Sequence, residues 1–163
     1  MNVAQMRQFD VANGTGVRAT LFVSGCTHNC KNCFNKDYQS FTYGREWTPE
    51  VEQEFINLAK NEHVTGVSIL GGEPFQQAPL TLYKLVRRIK EETGKNIWLW
   101  TGYEYENIPK PQLPSLEYID VLIDGKFIEE EKDLTLKFRG SRNQRLIDVQ
   151  KTLAQGKIVL HDL

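Results

Sequence analysis

Cys26, Cys30 and Cys33 are the only cysteines in the chain, and they fall in one short stretch, spaced C-x3-C-x2-C. Successive gaps of this size reach at most about 14 Å and about 10 Å, so a single loop can wrap one metal centre. An odd number of closely packed cysteines is not a disulfide framework. In a reducing compartment such a group binds metal or does redox chemistry. Soft thiolates favour iron–sulfur clusters or zinc. Full cysteine ligation of a cluster takes four thiolates, so three leave one iron for a different ligand. Zinc is the competing reading, with His28, His63 or His161 as a fourth ligand. His28 lies inside the loop, where it reads more readily as a solvated residue or one that supports the ligands from behind.

The elements that must position these residues alternate strand and helix. An apolar run over 17–23 (VRATLFV) has strand length and stops at Ser24-Gly25, just before the cysteines. Thr48-Pro49 opens a helix, threonine suiting the N-cap and proline the first turn. Its apolar residues Val51, Phe55, Leu58 and Ala59 recur at helical spacing. A strand over 67–70 stops at Gly71-Gly72. A helix over 79–93 carries Leu82, Leu85, Val86 and Ile89 on one face. Strands follow over 97–101 and 118–123, and the prolines at 109, 111 and 114 make the connection between them mostly loop. Residues 145–149 and 157–160 read as two further strands, the first also readable as a helix.

Each of the four clear strands runs directly into unusual sequence: SGCTHNCKNC, GGEP, GY and DGKF. In parallel α/β sheets, ligands bind beyond the carboxyl ends of the strands. Four such segments at one edge therefore point to one composite site. Glycines at Gly71-Gly72 let backbone approach a ligand closely. Backbone carbonyls there, and Glu73, can accept hydrogen bonds from an ammonium group. Taken alone, GGEP could equally be a turn that caps a helix.

The whole chain bounds these readings. Its 163 residues suit a single domain, and are too few for a complete (β/α)₈ barrel. Twenty basic and 21 acidic side chains leave a formal charge of -1, which argues against wholesale coating of nucleic acid. No apolar stretch is long enough to span a bilayer. The first residues, MNVAQMRQFD, lack the apolar core of a signal peptide. A cytoplasmic protein is the expectation, with neither nucleic acid nor membrane as partner.

The C-x3-C-x2-C loop after the first strand, followed by Gly71-Gly72-Glu73-Pro74, resembles the signature of the radical S-adenosylmethionine superfamily. One position departs from it: Asn32 stands before the last cysteine, where an aromatic is frequent. Further segments are similar to the activating enzymes of glycyl-radical proteins, in particular the branch that acts on anaerobic ribonucleoside-triphosphate reductase. They are Asn13-Gly14-Thr15-Gly16-Val17-Arg18 (with threonine in place of a proline), Trp100-Thr101-Gly102-Tyr103, the run 120–125 (DVLIDG) and the run 139–145 (RGSRNQR).

The resemblance implies a fold, a site and a reaction. The fold is a partial, open (β/α) barrel of the radical S-adenosylmethionine type with a mainly parallel sheet, one domain over 1–163. Cys26, Cys30 and Cys33 hold a 4Fe–4S cluster, and S-adenosyl-L-methionine chelates the fourth iron. Gly71, Gly72, Glu73, Thr101, Asp124, Lys126 and Asn143 are the candidate contacts to that cofactor, with Lys126 as a carboxylate partner and Asn143 at the ribose. A side chain at Gly72 is expected to obstruct the methionine end. Arg18 is a candidate to neutralise the thiolates, or to pair with Asp10. Reductive cleavage of S-adenosylmethionine gives a 5′-deoxyadenosyl radical, which forms a glycyl radical on the reductase. The electron comes from a donor such as flavodoxin. The chemistry needs no protein acid–base pair, so the cysteines act as ligands rather than nucleophiles. The alternatives are a pyruvate formate-lyase activase-like or 7-carboxy-7-deazaguanine synthase-like enzyme, or a zinc-binding module without catalysis.

Overall fold

The computed structural model describes residues 1–163. Seven strands form one sheet: β1 (Asn2–Asp10), β2 (Arg18–Ser24), β3 (Arg45–Glu46), β4 (Gly66–Gly71), β5 (Asn96–Trp100), β6 (Val121–Asp124) and β7 (Arg145–Asp148). Their order across the sheet is β3-β1-β2-β4-β5-β6-β7. The helices are α1 (Pro49–Lys60), α2 (Pro79–Thr93) and α3 (Val149–Gln155). Thr48 caps α1 as its sequence suggests, its hydroxyl accepting from the Val51 N–H at 3.2 Å. The proline-rich connection is a run of 3-10 turns, Lys110–Tyr118.

Alternation along the strands gives the sheet two different faces. Ala19, Leu21 and Val23 of β2, Val67 and Ile69 of β4, Ile97 and Leu99 of β5 and Leu122 of β6 share one core. Against them pack Phe55, Ile56 and Ala59 of α1 and Leu82, Leu85, Val86 and Ile89 of α2. The opposite face carries a smaller cluster of Trp98, Val121, Ile123 and Leu146, with Trp100 and Phe138 beside it. No helix covers Phe22 and Leu70 on that face, and a cavity opens over them.

The expected partial (β/α) barrel with a mainly parallel sheet is corrected here. Only the central strands β2, β4, β5 and β6 are parallel to one another. Both flanks are antiparallel, β1 against β2 and β3 on one side and β7 against β6 on the other. The sheet is open and mixed, with β3 and β7 as its edges. The reason lies in the connections. A parallel return requires a long crossover, usually a helix. Residues 125–144 supply only a single turn, Glu129–Glu131, so the chain comes back antiparallel as β7.

Two further expectations change. Residues 2–10 form a full strand that the sequence pattern hides. Its register with β2 slips between Val3 and Gln5 and again between Arg7 and Asp10, and such bulges break the two-residue alternation that marks a strand. Residues 157–160, read as a strand, contribute a single bridge between Leu160 and Ile147.

Arg18 stands at the start of β2, at the opposite end of the parallel strands from the cysteines. It is fully buried and bonded to Ser68 Oγ (2.7 Å), the Val67 carbonyl (2.8 Å), Asn96 Oδ1 (2.7 Å) and the Thr15 carbonyl (2.9 Å). It therefore neither neutralises thiolates nor pairs with Asp10. Burial depresses its guanidinium to about 10.

Candidate functional site

The three cysteines follow β2 and line one cavity of about 490 Å³ over the uncovered face of the sheet. All are free thiols of intermediate exposure. The loop that carries them turns twice through left-handed backbone, at Asn29 (φ 52°) and Asn32 (φ 55°). Asparagine tolerates that conformation better than bulkier residues. Burial pushes the Cys26 thiol up to about 11, although the His28 N–H donates toward its sulfur. Burial and the neighbouring Cys33 also raise Cys30. Both are protonated near neutral pH without metal, so taking up iron releases protons.

Gly71, Gly72, Glu73, Thr101 and Lys126 line the same cavity. Their roles divide once hydrogen bonds are traced. The Glu73 carboxylate is buried and accepts from four protein groups. They are the His28 ring (2.7 Å), the Gly102 N–H (2.6 Å), the Thr101 hydroxyl (2.8 Å) and the Phe75 N–H (2.9 Å). Thr101 in turn accepts from the Tyr103 N–H at 3.1 Å. Glu73 and Thr101 thus spend their polar atoms on the protein. The Gly72 carbonyl accepts no protein hydrogen bond and remains open to a ligand donor.

The charged residues of the lining are mostly cations. Arg7, Lys126 and Arg139 border the cavity, Glu73 is the only carboxylate there, and none of the three cations is in an ion pair. Such a wall suits an anionic guest. Thiolates, or the carboxylate of an amino acid, meet that description.

Of the three histidines offered for zinc, only His28 borders the cavity, and it holds Glu73 through Nε2. His63 faces Glu62 on the surface and His161 packs on Trp98, and neither borders the cavity. Three thiols match an iron–sulfur cluster with one iron free of protein ligands.

Residues 12–147 match the family model described as a 4Fe-4S single cluster domain. Curated relatives match nearly end to end. An anaerobic ribonucleoside-triphosphate reductase-activating protein from Haemophilus influenzae is 47% identical over 148 residues, 88% of this chain and 96% of the relative. Proteins of the same name from Escherichia coli K12 and from Enterobacteria phage T4 are 42% and 39% identical, over 88% and 90% of this chain and 96% and 93% of theirs. The chain belongs to the anaerobic ribonucleoside-triphosphate reductase-activating protein family.

For a member of this family, two of the residues singled out in the sequence stand apart from the cavity. Asp124 is buried at the end of β6, and Arg145 grips it from Nε at 3.0 Å while the Tyr105 N–H donates at 2.8 Å. That carboxylate joins β6 to β7, and it holds the Arg145 guanidinium firmly protonated. Asn143 borders a second, adjoining cavity of about 580 Å³. Its amide donates to the Lys126 carbonyl at 2.7 Å and its oxygen accepts from Ser141 at 2.6 Å. It fixes the backbone that carries Lys126.

A prediction separates these readings. Asp124→Asn keeps the shape but weakens charge-assisted bonds, so it is expected to destabilise the apoprotein by about 2 kcal/mol and to leave cofactor affinity in the folded protein unchanged. Denaturant titration and equilibrium binding measure the two. Unchanged stability with weakened cofactor binding would return Asp124 to the cofactor site.

Sequence reasoning missed Gln76 and Gly102. Gln76 holds Thr27 twice, its oxygen accepting from the Thr27 N–H and its amide donating to the Thr27 hydroxyl, both at 2.8 Å. The GGEP turn, read as a ligand motif, is together with the Phe75-Gln76-Gln77 that follow it also the scaffold of the cysteine loop. The Glu73 N–H and the Gln77 amide both donate to the Gly25 carbonyl, at 2.7 and 3.2 Å. The only signal for this in the sequence is the density of amide side chains after GGEP.

Proposed function

We propose that this chain activates an anaerobic ribonucleoside-triphosphate reductase by forming a glycyl radical on it. The carrying observation is the convergence of three free thiols and the Gly71-Gly72-Glu73 turn on one cavity, bordered by three cations and a single carboxylate, at the carboxyl ends of parallel strands. Cys26, Cys30 and Cys33 would hold a 4Fe–4S cluster, with the fourth iron left to S-adenosylmethionine. When bound, that pair supplies the electron transfer and reductive cleavage that lead to hydrogen-atom removal from a glycine of the reductase.

The chain's own residues orient and enclose. In this reading the Gly72 carbonyl would accept from the cofactor's ammonium. Lys126, at the cavity wall, would pair with its carboxylate. Phe22, Leu70 and Trp100 provide an apolar floor that excludes water around the reacting atoms. The polar contacts first assigned to Glu73, Thr101, Asp124 and Asn143 act one step back, through the segments they hold. The cysteines are ligands, and no side chain is asked to move a proton. An electron donor such as flavodoxin and a cytoplasmic, reducing setting complete the proposal. No helix is long and apolar enough to cross a membrane.

The test is direct. The anaerobically reconstituted protein is mixed with reductant, S-adenosylmethionine and the reductase. A glycyl-radical doublet is expected in the electron paramagnetic resonance spectrum. Its splitting should collapse when the reductase glycine carries deuterium on its α-carbon. Turnover of a small-molecule substrate with no protein radical would instead favour a 7-carboxy-7-deazaguanine synthase-like enzyme.

A further inference from the structure

His28 is the only side chain of the cysteine loop that is pinned by the GGEP carboxylate. It lies midway between Cys26 and Cys30, its side chain only 7% exposed. Nε2 meets Glu73 Oε1 at 2.7 Å, and the ring packs edge-on against Tyr103 with centroids 4.7 Å apart. The neighbouring position is shaped to admit it. A Cβ at Gly102 would stand 2.6 Å from the His28 ring. The Gly102 N–H shares Oε1 with the imidazole. Through one carboxylate, the end of β5, the turn after β4 and the cysteine loop are therefore fastened together. Gln76 repeats the arrangement one residue earlier, at Thr27, and its amide also donates to the Tyr103 hydroxyl at 3.1 Å. The second half of the loop, from Asn29 to Cys33, has no such side-chain bracket: it is supported by the turn from the Cys33 N–H to the Cys30 carbonyl and by the Phe127 N–H, which donates toward the Cys30 sulfur.

We propose that His28 is a positioning residue for the cluster, with Glu73 as its anchor: the hydrogen bond between them fixes where Cys26 and Cys30 present their sulfurs. The inference rests on the reading of those cysteines as cluster ligands. A metal site loses affinity when the groups that orient its ligands are removed, by about 10-fold to 100-fold. The imidazole does this through its ring nitrogen, and its packing on Tyr103 is secondary.

Two substitutions separate the hydrogen bond from the packing. His28→Phe keeps a ring against Tyr103 and loses the donor. His28→Gln loses the ring and keeps an amide that can reach Glu73. Each holoprotein is reconstituted anaerobically and challenged with an iron chelator, and the decay of the cluster absorbance is timed. Release about 10-fold to 100-fold faster is expected from His28→Phe, and release close to the wild-type rate from His28→Gln. A redox titration followed by electron paramagnetic resonance should show a displaced cluster potential in His28→Phe alone. Wild-type release and potential in His28→Phe overturn the proposal. Equally fast release from both variants overturns the hydrogen bond as the cause. Should His28→Phe not fold, His28→Leu tests the same hydrogen bond, because it too removes the donor and leaves Glu73 its other three. Accelerated release is expected there as well, and a wild-type rate overturns the proposal. A wild-type protein that takes up no cluster removes the underlying cysteine reading, and this inference with it. Normal uptake with indifferent variants sinks this inference alone.

Discussion

Replacing Cys26, Cys30 or Cys33 singly with alanine is expected to abolish the four-iron cluster. Three thiolates already leave one iron without a protein ligand. Removing another leaves two irons exposed on the same cluster, and His63 and His161 lie off the cavity and cannot compensate. Serine should do no better, because a hard oxygen donor is a poor match for a site that selects for soft ligands. The loss should not be a folding defect. None of the three side chains belongs to the buried core, so apoprotein stability should change by about 1 kcal/mol or less. Iron and sulfide analysis after anaerobic reconstitution, with thermal unfolding of the apoprotein, measures both halves. Four irons per chain in any one variant would remove that cysteine from the ligand set.

What the sequence revealed was whatever depends on local pattern. The central strands end at Ser24, Gly71, Trp100 and Asp124, close to where glycine-rich or polar residues interrupt each apolar run. Thr48 and Pro49 open α1 as written. All three cysteines and the GGEP turn reach one cavity because parallel strands must end on the same side of the sheet. What stayed hidden depends on partners remote in the chain. Two bulges scramble β1. The direction of β7 is decided by the lack of a helix in residues 125–144, and without that helix the expected barrel gives way to an open mixed sheet. Glu73 looks like a ligand group because its partners, His28 and Gly102, lie 45 and 29 residues away. Asp124 looks free because Arg145 arrives only when β7 folds back.

The same remoteness changes what Gly72 is for. A Cβ there would stand 2.7 Å from the Gly25 carbonyl oxygen, 2.7 Å from the Tyr38 carbonyl oxygen and 2.8 Å from the Gly25 nitrogen. All three are backbone atoms and cannot rotate away. Before any cofactor is considered, a side chain at Gly72 therefore pushes on the segments that enter and leave the cysteine loop. The Gly25 N–H to Tyr38 carbonyl bond (2.8 Å), which closes that loop at its base, lies directly in the way. Gly72→Ala is expected to destabilise the apoprotein by about 1 kcal/mol and Gly72→Val by about 3 kcal/mol, the span seen for overpacking. Cluster loading should fall in the same order, since the loop base is displaced with or without S-adenosylmethionine. Thermal unfolding of the apoprotein and iron analysis without cofactor read the two effects. An apoprotein of wild-type stability that loads its cluster fully and fails only in cofactor binding would show that Gly72 serves the cofactor directly and that the loop tolerates the intrusion.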